Sequence, residues 1–131
     1  MPRKKPPPLT EAELRLMQIV WRKGRATVAE VAASLPKELD LAYNTVLTTM
    51  RILEAKGYLR HAKTKEARAF IYRPAVARIE ATRSAVRHLL RRFFGDSAEA
   101  LVLNLLEDET LGETELKKIR QLLRQAEGER P

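Results

Sequence analysis

Two capping boxes determine where the first helices of the chain begin. Thr10 is followed three residues later by Glu13, and Thr27 is followed by Glu30 in the same way. At this spacing the threonine hydroxyl accepts the N–H of the glutamate, and the glutamate carboxylate accepts the N–H of the threonine. Gly24 is typical of a helix end, and proline stops the second helix at residue 36. The chain is therefore predicted to begin with two short helices joined by a tight turn.

Apolar residues recur every three or four positions in these two helices, which predicts one buried face on each. Leu9 and Leu14 occupy the two positions of a hydrophobic staple around the first helix start. The residues predicted to face inward are Leu14, Met17, Val20 and Trp21 in the first helix and Val28, Val31, Ala32 and Leu35 in the second.

A third helix and a hairpin follow. The helix is predicted over about residues 41–56, with Asp40 as its N-cap and Gly57 after its end. Residues 58–62 and 69–73 have the composition of two strands, and the loop between them is polar and mostly basic. Three helices and a basic hairpin within about 65 residues predict a winged helix-turn-helix domain.

The third helix has two different faces. On a helical wheel, one face contains Thr45, Thr48, Thr49, Ile52 and Lys56, all within about 60° of Thr45. The opposite face contains Ala42, Val46, Met50 and Leu53. A solvated helix surface usually carries Glu, Lys and Gln, whereas short side chains allow close approach to a partner. In a major groove, threonine can donate to bases or phosphates and can place its methyl group on thymine. Alternatively, the threonine face packs on another part of the protein.

Charge favours the DNA interpretation. Residues 1–74 contain 15 Lys and Arg against 7 Asp and Glu, whereas residues 75–131 contain 10 of each. A basic half next to a neutral half indicates a polyanionic partner for the first half, although basic surface can also serve solubility alone. The predicted DNA-binding residues are Tyr43, Asn44, Thr45, Thr48, Thr49, Arg51, Ile52, Lys56, Lys63, Lys65 and Arg68. Tyr43 lies at the border of the inner face and could instead belong to the core, to which Tyr58, Phe70 and Tyr72 are also assigned.

The rest of the chain is predicted to be helical, at about residues 76–94, 97–106 and 113–126. Three amphipathic helices after a complete small domain cannot bury their apolar faces alone, which favours a two-fold dimer. Alternatives are packing against the same chain's winged domain and membrane adsorption of the basic run at residues 83–92. The predicted dimer residues are Ile79, Val86, Leu90, Phe93, Phe94, Leu101, Val102, Leu105, Leu116, Ile119 and Leu123.

The predicted fold is mainly α with a small β-hairpin. Its parts are a disordered basic tail (residues 1–8), a winged-helix domain (9–74) and a helical dimerisation domain (75–131). An enzyme is not expected, because His61 and His88 lie in different domains without paired carboxylates and no glycine-rich loop follows a strand. We predict no metal and no cofactor; the acidic residues 107–109 could hold a cation but are more typical of a solvated helix end. The absence of cysteine, of a secretory signal and of a membrane span fits a cytoplasmic protein without stable membrane association.

Seven segments, in this order, resemble the BlaI/MecI (penicillinase repressor) family of winged-helix regulators. They lie at residues 9–14, 19–21, 26–31, 42–49, 53–57, 72–74 and 101–107, with the sequences LTEAEL, IVW, ATVAEV, AYNTVLTT, LEAKG, YRP and LVLNLLE. The resemblance implies a homodimeric repressor on a dyad-symmetric DNA operator. It also implies release of repression when a membrane sensor-protease system triggers cleavage in the second dimerisation helix.

Two positions depart from the family pattern. The bond that matches the family's cleavage site is Asn104–Leu105, where leucine replaces the usual aromatic residue. Ile52 stands where many relatives carry arginine in the recognition helix. Two other functions remain open at this point. One is a winged-helix protein-interaction module, whose wing would lose its basic residues. The other is a ligand-sensing winged-helix repressor, which would need a cavity in the dimer arm.

Overall fold

The computed structural model describes residues 6–39, 41–64 and 68–128. In chain order the elements are α1 (Glu11–Lys23), α2 (Val28–Ser34), a short 3-10 helix (Lys37–Leu39), α3 (Tyr43–Ala55), β1 (Leu59–Lys63), β2 (Phe70–Pro74), α4 (Arg78–Phe93), α5 (Ala98–Glu107) and α6 (Glu113–Ala126). The two strands form one antiparallel hairpin. The predicted fold class is thus confirmed.

Both predicted capping boxes are present. The hydroxyl of Thr10 accepts the N–H of Glu13 at 3.2 Å, and the Glu13 carboxylate accepts the N–H of Thr10 at 2.8 Å. The same two bonds join Thr27 and Glu30, at 3.1 and 2.9 Å. Each box satisfies two N–H groups that would otherwise lack partners at a helix start, so these boundaries follow from local sequence.

The buried face of α1 agrees with the prediction at Met17 and Val20, which are buried, and at Trp21, which packs against the core, but not at Leu14. Leu14 is 39% exposed, and the buried positions are Glu13, Leu16, Met17, Ile19 and Val20. The stripe at 13, 16, 17 and 20 has regular helical spacing but contains a carboxylate. Glu13 was left out of the predicted buried face because a charged residue is not expected in an apolar stripe, and Leu14 was placed there instead.

α3 begins two residues later than predicted, with Ala42 as its N-cap. Ala42 is exposed rather than inward-facing, and the predicted cap Asp40 lies outside the described residues. Val46, Met50 and Leu53 are each 0% exposed, which confirms the rest of the predicted inner face. These three residues pack with buried residues of α1 and α2 in one hydrophobic core.

The hairpin strands are each shifted by one residue relative to the prediction, so that Leu59 lies opposite Pro74 and Lys63 opposite Phe70. Tyr72 joins the hairpin to the turn before α2: its N–H donates to the carbonyl of Ala26 at 2.8 Å and its carbonyl accepts the N–H of Ala26 at 3.0 Å. Tyr58 and Tyr72 are buried as predicted, but Phe70 is 49% exposed, so its assignment to the core is wrong. Phe70 instead contacts the ring of His61 edge-on.

The last three residues of the predicted disordered tail, residues 6–8, contact the folded part of the chain. Three successive proline carbonyls accept hydrogen bonds from the folded part of the chain. Pro6 O accepts from the Ser84 hydroxyl at 3.1 Å, Pro7 O from the Tyr58 hydroxyl at 2.6 Å, and Pro8 O from Lys56 Nζ at 3.2 Å. The first five residues of the predicted tail lie outside the described residues.

The chain divides into two compact units, Met1–His88 and Leu89–Pro131. The first contains the hydrophobic core, to which Val76 and Ala81 also belong. In the second, none of the described residues is buried, and α5 and α6 make no extensive contact with each other. The division falls within α4, so Val76 and Ala81, which the sequence assigned to the dimerisation domain, lie in the first unit. Among the described residues, no helix combines the length and apolar character that crossing a membrane requires.

Candidate nucleic-acid interface

The face of α3 opposite the core carries short side chains. Asn44, Thr45 and Thr48 are exposed, and Thr49 is half-buried. Ile52, one turn after Thr48, is 43% exposed although it is fully apolar. Thr45 and Thr48 therefore do not pack on the described part of the chain, and Thr49 does so only in part.

Longer side chains flank this row. Arg51 and Tyr43 are exposed, and Tyr43 is 53% accessible, so it does not belong to the core. Arg51 is exposed and forms no hydrogen bond or ion pair with another described residue, and a guanidinium group offers five N–H donors. We define the α3 face as Asn44, Thr45, Thr48, Thr49, Arg51 and Ile52.

Lys56 is turned away from the α3 face. Its Nζ lies 2.6 Å from a carboxylate oxygen of Glu13 and donates to Pro8 O. Burial on its own would raise the pKa of Glu13, but the hydrogen bonds from Lys56 and Thr10 and the lysine charge outweigh it and lower that pKa. Lys56 therefore joins α3 to the start of α1, and we leave it out of the α3 face.

The hairpin contributes basic residues next to α3. Lys63 and Arg68 are exposed at the two sides of the hairpin loop, and Lys65 lies outside the described residues. His61 Nδ1 is 2.5 Å from a carboxylate oxygen of Glu54, which connects β1 to α3. The hairpin and α3 thus belong to one packed unit.

Sequence reasoning did not assign Arg60 and Arg73 to the site. The two residues are opposite each other in the hairpin, and both are exposed. Like charges directly across a strand pair repel each other, so this pair is more stable next to an anion. The pairing could have been found from the alignment of the two strands. The strands predicted at residues 58–62 and 69–73 are each one residue too early, and end-to-end pairing of those strands does not put Arg60 opposite Arg73.

The predicted dimer residues all have accessible surface. Exposed members are Ile79, Val86, Phe93, Val102, Ile119 and Leu123, and half-buried members are Leu90, Phe94, Leu101, Leu105 and Leu116. Phe93, at 67%, is the most exposed of the large apolar side chains in the described chain. The candidate cleavage bond Asn104–Leu105 lies inside α5.

No described cluster of three or more His, Asp or Glu residues could hold a metal ion.

An open groove of about 540 Å³ is lined by Gln18, Trp21, Arg22 and Arg78. All four residues belong to the first unit. Three of them lie on α1 and only Arg78 lies in the predicted dimerisation domain, so the groove is not a cavity within that domain.

The family model for the penicillinase repressor matches residues 9–125, which include all the described secondary structure except the end of α6. The chain belongs to the penicillinase repressor family. The predicted family is thereby confirmed.

Two related proteins resemble the chain over most of their length. The penicillinase repressor of Bacillus licheniformis is 31% identical over 120 residues, which are 92% of this chain and 92% of that protein. The methicillin resistance regulatory protein MecI of Staphylococcus aureus (strain N315) is 24% identical over 115 residues, 88% of this chain and 92% of that protein. These relatives are regulators and not enzymes, in agreement with the prediction.

Solved structures resemble the chain over different extents. The monomeric form of Bacillus licheniformis BlaI in complex with the blaP half-operator is 31% identical, with a TM-score of 0.50 over 60% of this chain and 93% of that chain. The transcriptional regulator Tm0710 of Thermotoga maritima is 22% identical, with a TM-score of 0.52 over 91% of this chain and 74% of that chain. The second likeness concerns the fold alone, and the winged-helix fold is confirmed.

Proposed function

We propose that this protein is a transcriptional repressor that binds double-stranded DNA through the α3 face and the hairpin. The observation that carries the proposal is the α3 face itself: an exposed row of short side chains, flanked by Arg51, on a helix whose other side is the core. A helix of this shape fits a major groove closely, and its flanking donors reach base edges.

The basic hairpin supports the same partner. Lys63, Arg68, Arg60 and Arg73 are exposed, and contacts from such residues to phosphates position a protein on the duplex without reading its sequence. An interaction module built on this fold would not need four exposed cations there. Protein binding is therefore the less favoured function.

We further propose that two copies pair through the apolar faces of α4, α5 and α6 and bind a dyad operator. The observation that supports pairing is that none of the described residues in the second unit is buried, although many are large and apolar. Large apolar side chains left exposed in such number are typical of an interface. A two-fold pair would present two α3 faces to successive half-sites.

Release by proteolysis at Asn104–Leu105 remains part of the proposal, with a physical condition. Both residues lie within α5, and the carbonyl of Asn104 accepts the N–H of Asp108 at 3.1 Å. Local opening of a helix must precede cleavage in its middle. A membrane sensor-protease system, the partner implied by the family resemblance, would act on that opened form in the cytoplasm.

The test is selection of bound duplexes from a random pool, followed by a salt titration of the selected sequence. We expect a two-fold-symmetric sequence with an affinity well above the salt-sensitive background. Salt-sensitive binding without any enriched sequence would reject sequence-specific repression. Enrichment of a single half-site without symmetry would retain DNA reading and reject the dimer on a dyad.

A further inference from the structure

Two threonine hydroxyls of the α3 face already donate inside the helix. Thr48 Oγ1 donates to the carbonyl of Asn44 at 2.8 Å, and Thr49 Oγ1 donates to the carbonyl of Thr45 at 2.8 Å. A hydroxyl has one hydrogen, so neither threonine keeps a donor for an external acceptor in this arrangement. The role first expected for these residues, donation to bases or phosphates, would require each to break a hydrogen bond.

What these residues present outward is therefore a methyl group and oxygen lone pairs. Ile52 lies four residues after Thr48 and three after Thr49, which makes it their neighbour on the helix surface. Its side chain is 43% exposed and has no polar atom. We define the apolar strip as Thr48, Thr49 and Ile52: it offers methyl groups and two acceptor oxygens but no free hydrogen-bond donor, and the donors of the α3 face lie at its borders, on Asn44 and Arg51.

In a major groove, one base carries a matching apolar group. Thymine presents its C5 methyl there, whereas cytosine has only a hydrogen at that position and the purines present acceptors and donors. An apolar strip that cannot donate gains from thymine methyl groups and loses when it covers an unpaired acceptor. The contact therefore discriminates between bases without a hydrogen bond.

We propose that Thr48, Thr49 and Ile52 read thymine methyl groups of the operator, and that Asn44 and Arg51 provide the hydrogen bonds to the bases beside them. This inference rests on the proposed DNA-binding function. It assigns specificity-determining roles: the strip recognises a pattern of C5 methyl groups, and Ile52 extends that strip by one turn beyond the threonines.

The test uses the full-length protein and the duplex selected from the random pool, synthesised once with thymidine and once with 2′-deoxyuridine. Uracil keeps every hydrogen-bonding group of thymine and lacks only the methyl. We expect the affinity to fall about fourfold for each methyl group that the strip covers, the factor that corresponds to burying one such group. The readout for each variant is the preference for thymine over uracil.

The threonine variants separate methyl from hydroxyl. Thr48→Val keeps the methyl group, puts a second one in place of the hydroxyl and should keep the preference for thymine. Thr48→Ser keeps the hydroxyl, removes the methyl group and should lower the preference by about fourfold for each thymine methyl that Thr48 covers. Thr82→Ser is the matched control, because Thr82 is exposed on α4 and its hydroxyl also donates to a carbonyl four residues earlier, that of Arg78, at 3.0 Å. This control should keep the full preference.

Ile52→Ala gives a second measurement. It should reduce affinity for the thymine duplex more than for the uracil duplex, since methyl and isoleucine act as a pair. Equal losses on both duplexes, or a preference that Thr48→Val loses and Thr48→Ser keeps, would overturn methyl reading while leaving sequence-specific DNA binding intact. Failure to select any sequence would instead refute the proposed function. Circular dichroism confirms that each variant is folded.

Discussion

Leucine side chains have opposite surroundings in the two units of the chain. Leu53 of α3 is 0% exposed in the first unit, whereas Leu103 of α5 is 48% and Leu122 of α6 is 61% exposed in the second. The helices of both units are amphipathic, so the sequence pattern alone does not distinguish them. The difference shows that a periodic apolar face states only that a helix needs a partner; it does not say whether the partner lies in the same chain.

Separate production of the two units would have the largest effect. Residues 1–88 contain the whole core and should unfold cooperatively as a monomer, while residues 89–131 should show no cooperative unfolding at micromolar concentration. Thermal melts followed by circular dichroism, with sedimentation for the assembly state, measure both. A cooperative melt of residues 89–131 as a monomer would contradict the proposed need for a second copy.

Substitution of one leucine by alanine in each unit compares the two units directly. Leu53→Ala removes a fully buried side chain and should lower the free energy of unfolding by about 2–5 kcal/mol. Leu103→Ala makes the same chemical change at an exposed position outside the predicted interface and should change it by less than about 0.5 kcal/mol. Urea unfolding of both variants is the measurement. Similar losses at the two positions would mean that the second unit has a core of its own.

The proposed dimer can be disrupted from α6. Leu123→Asp puts a carboxylate on the apolar face of that helix, where Leu123 is 53% exposed in the single chain. Burying a charge there should raise the dimer dissociation constant about 100-fold or more.

Gln121→Asp is the control for this variant, because it adds the same single negative charge about 160° away from Leu123 around α6. Sedimentation equilibrium over a range of concentrations compares the two. An unchanged constant for Leu123→Asp would remove α6 from the interface, and a loss for both variants would point to net charge as the cause.

The smallest expected effect is on the pH dependence of stability, and it arises from Glu13 in the first unit. The pKa of Glu13 is lowered, because its partners Lys56 and Thr10 outweigh burial. A lowered pKa stabilises the fold above the ordinary carboxyl value of 4.5, and that stabilisation is lost as the pH falls below 4.5 through the folded-state pKa.

Glu13→Gln tests this dependence, since glutamine can still accept the N–H of Thr10 but carries no charge. We expect a loss of about 1–2 kcal/mol at pH 7 and a flatter dependence of stability on pH between 3 and 5. Urea midpoints at several pH values measure both quantities. A variant that loses stability on acidification as steeply as the unmodified protein would assign the acid sensitivity to other carboxylates.

The direction of the α3 side chains could be predicted from the sequence because it is a local property. Thr45 and Thr48 were expected on the outer face of α3 and are exposed there, because the direction of a helical side chain follows from its position in the repeat. The back-bonds of Thr48 and Thr49 are equally local, and their four-residue spacing was readable in the sequence. Lys56 shared that spacing, yet its amine lies against a carboxylate 43 residues earlier.

The sequence by itself determined the starts of α1 and α2, the buried positions Val46, Met50 and Leu53 of α3 and the basic character of the hairpin. Each depends on contacts within one turn of helix or on composition, so no distant residue is needed to specify it.

Only the tertiary structure decided that Glu13 and not Leu14 is buried on α1 and how the two strands align. It also decided that the carbonyls of Pro6, Pro7 and Pro8 accept hydrogen bonds from the folded part of the chain. These outcomes place Glu13 beside Lys56, Arg60 opposite Arg73 and the Tyr58 hydroxyl on Pro7. Each joins residues that are far apart in the chain, and the energy of such a contact depends on all the packing that brings the two partners together.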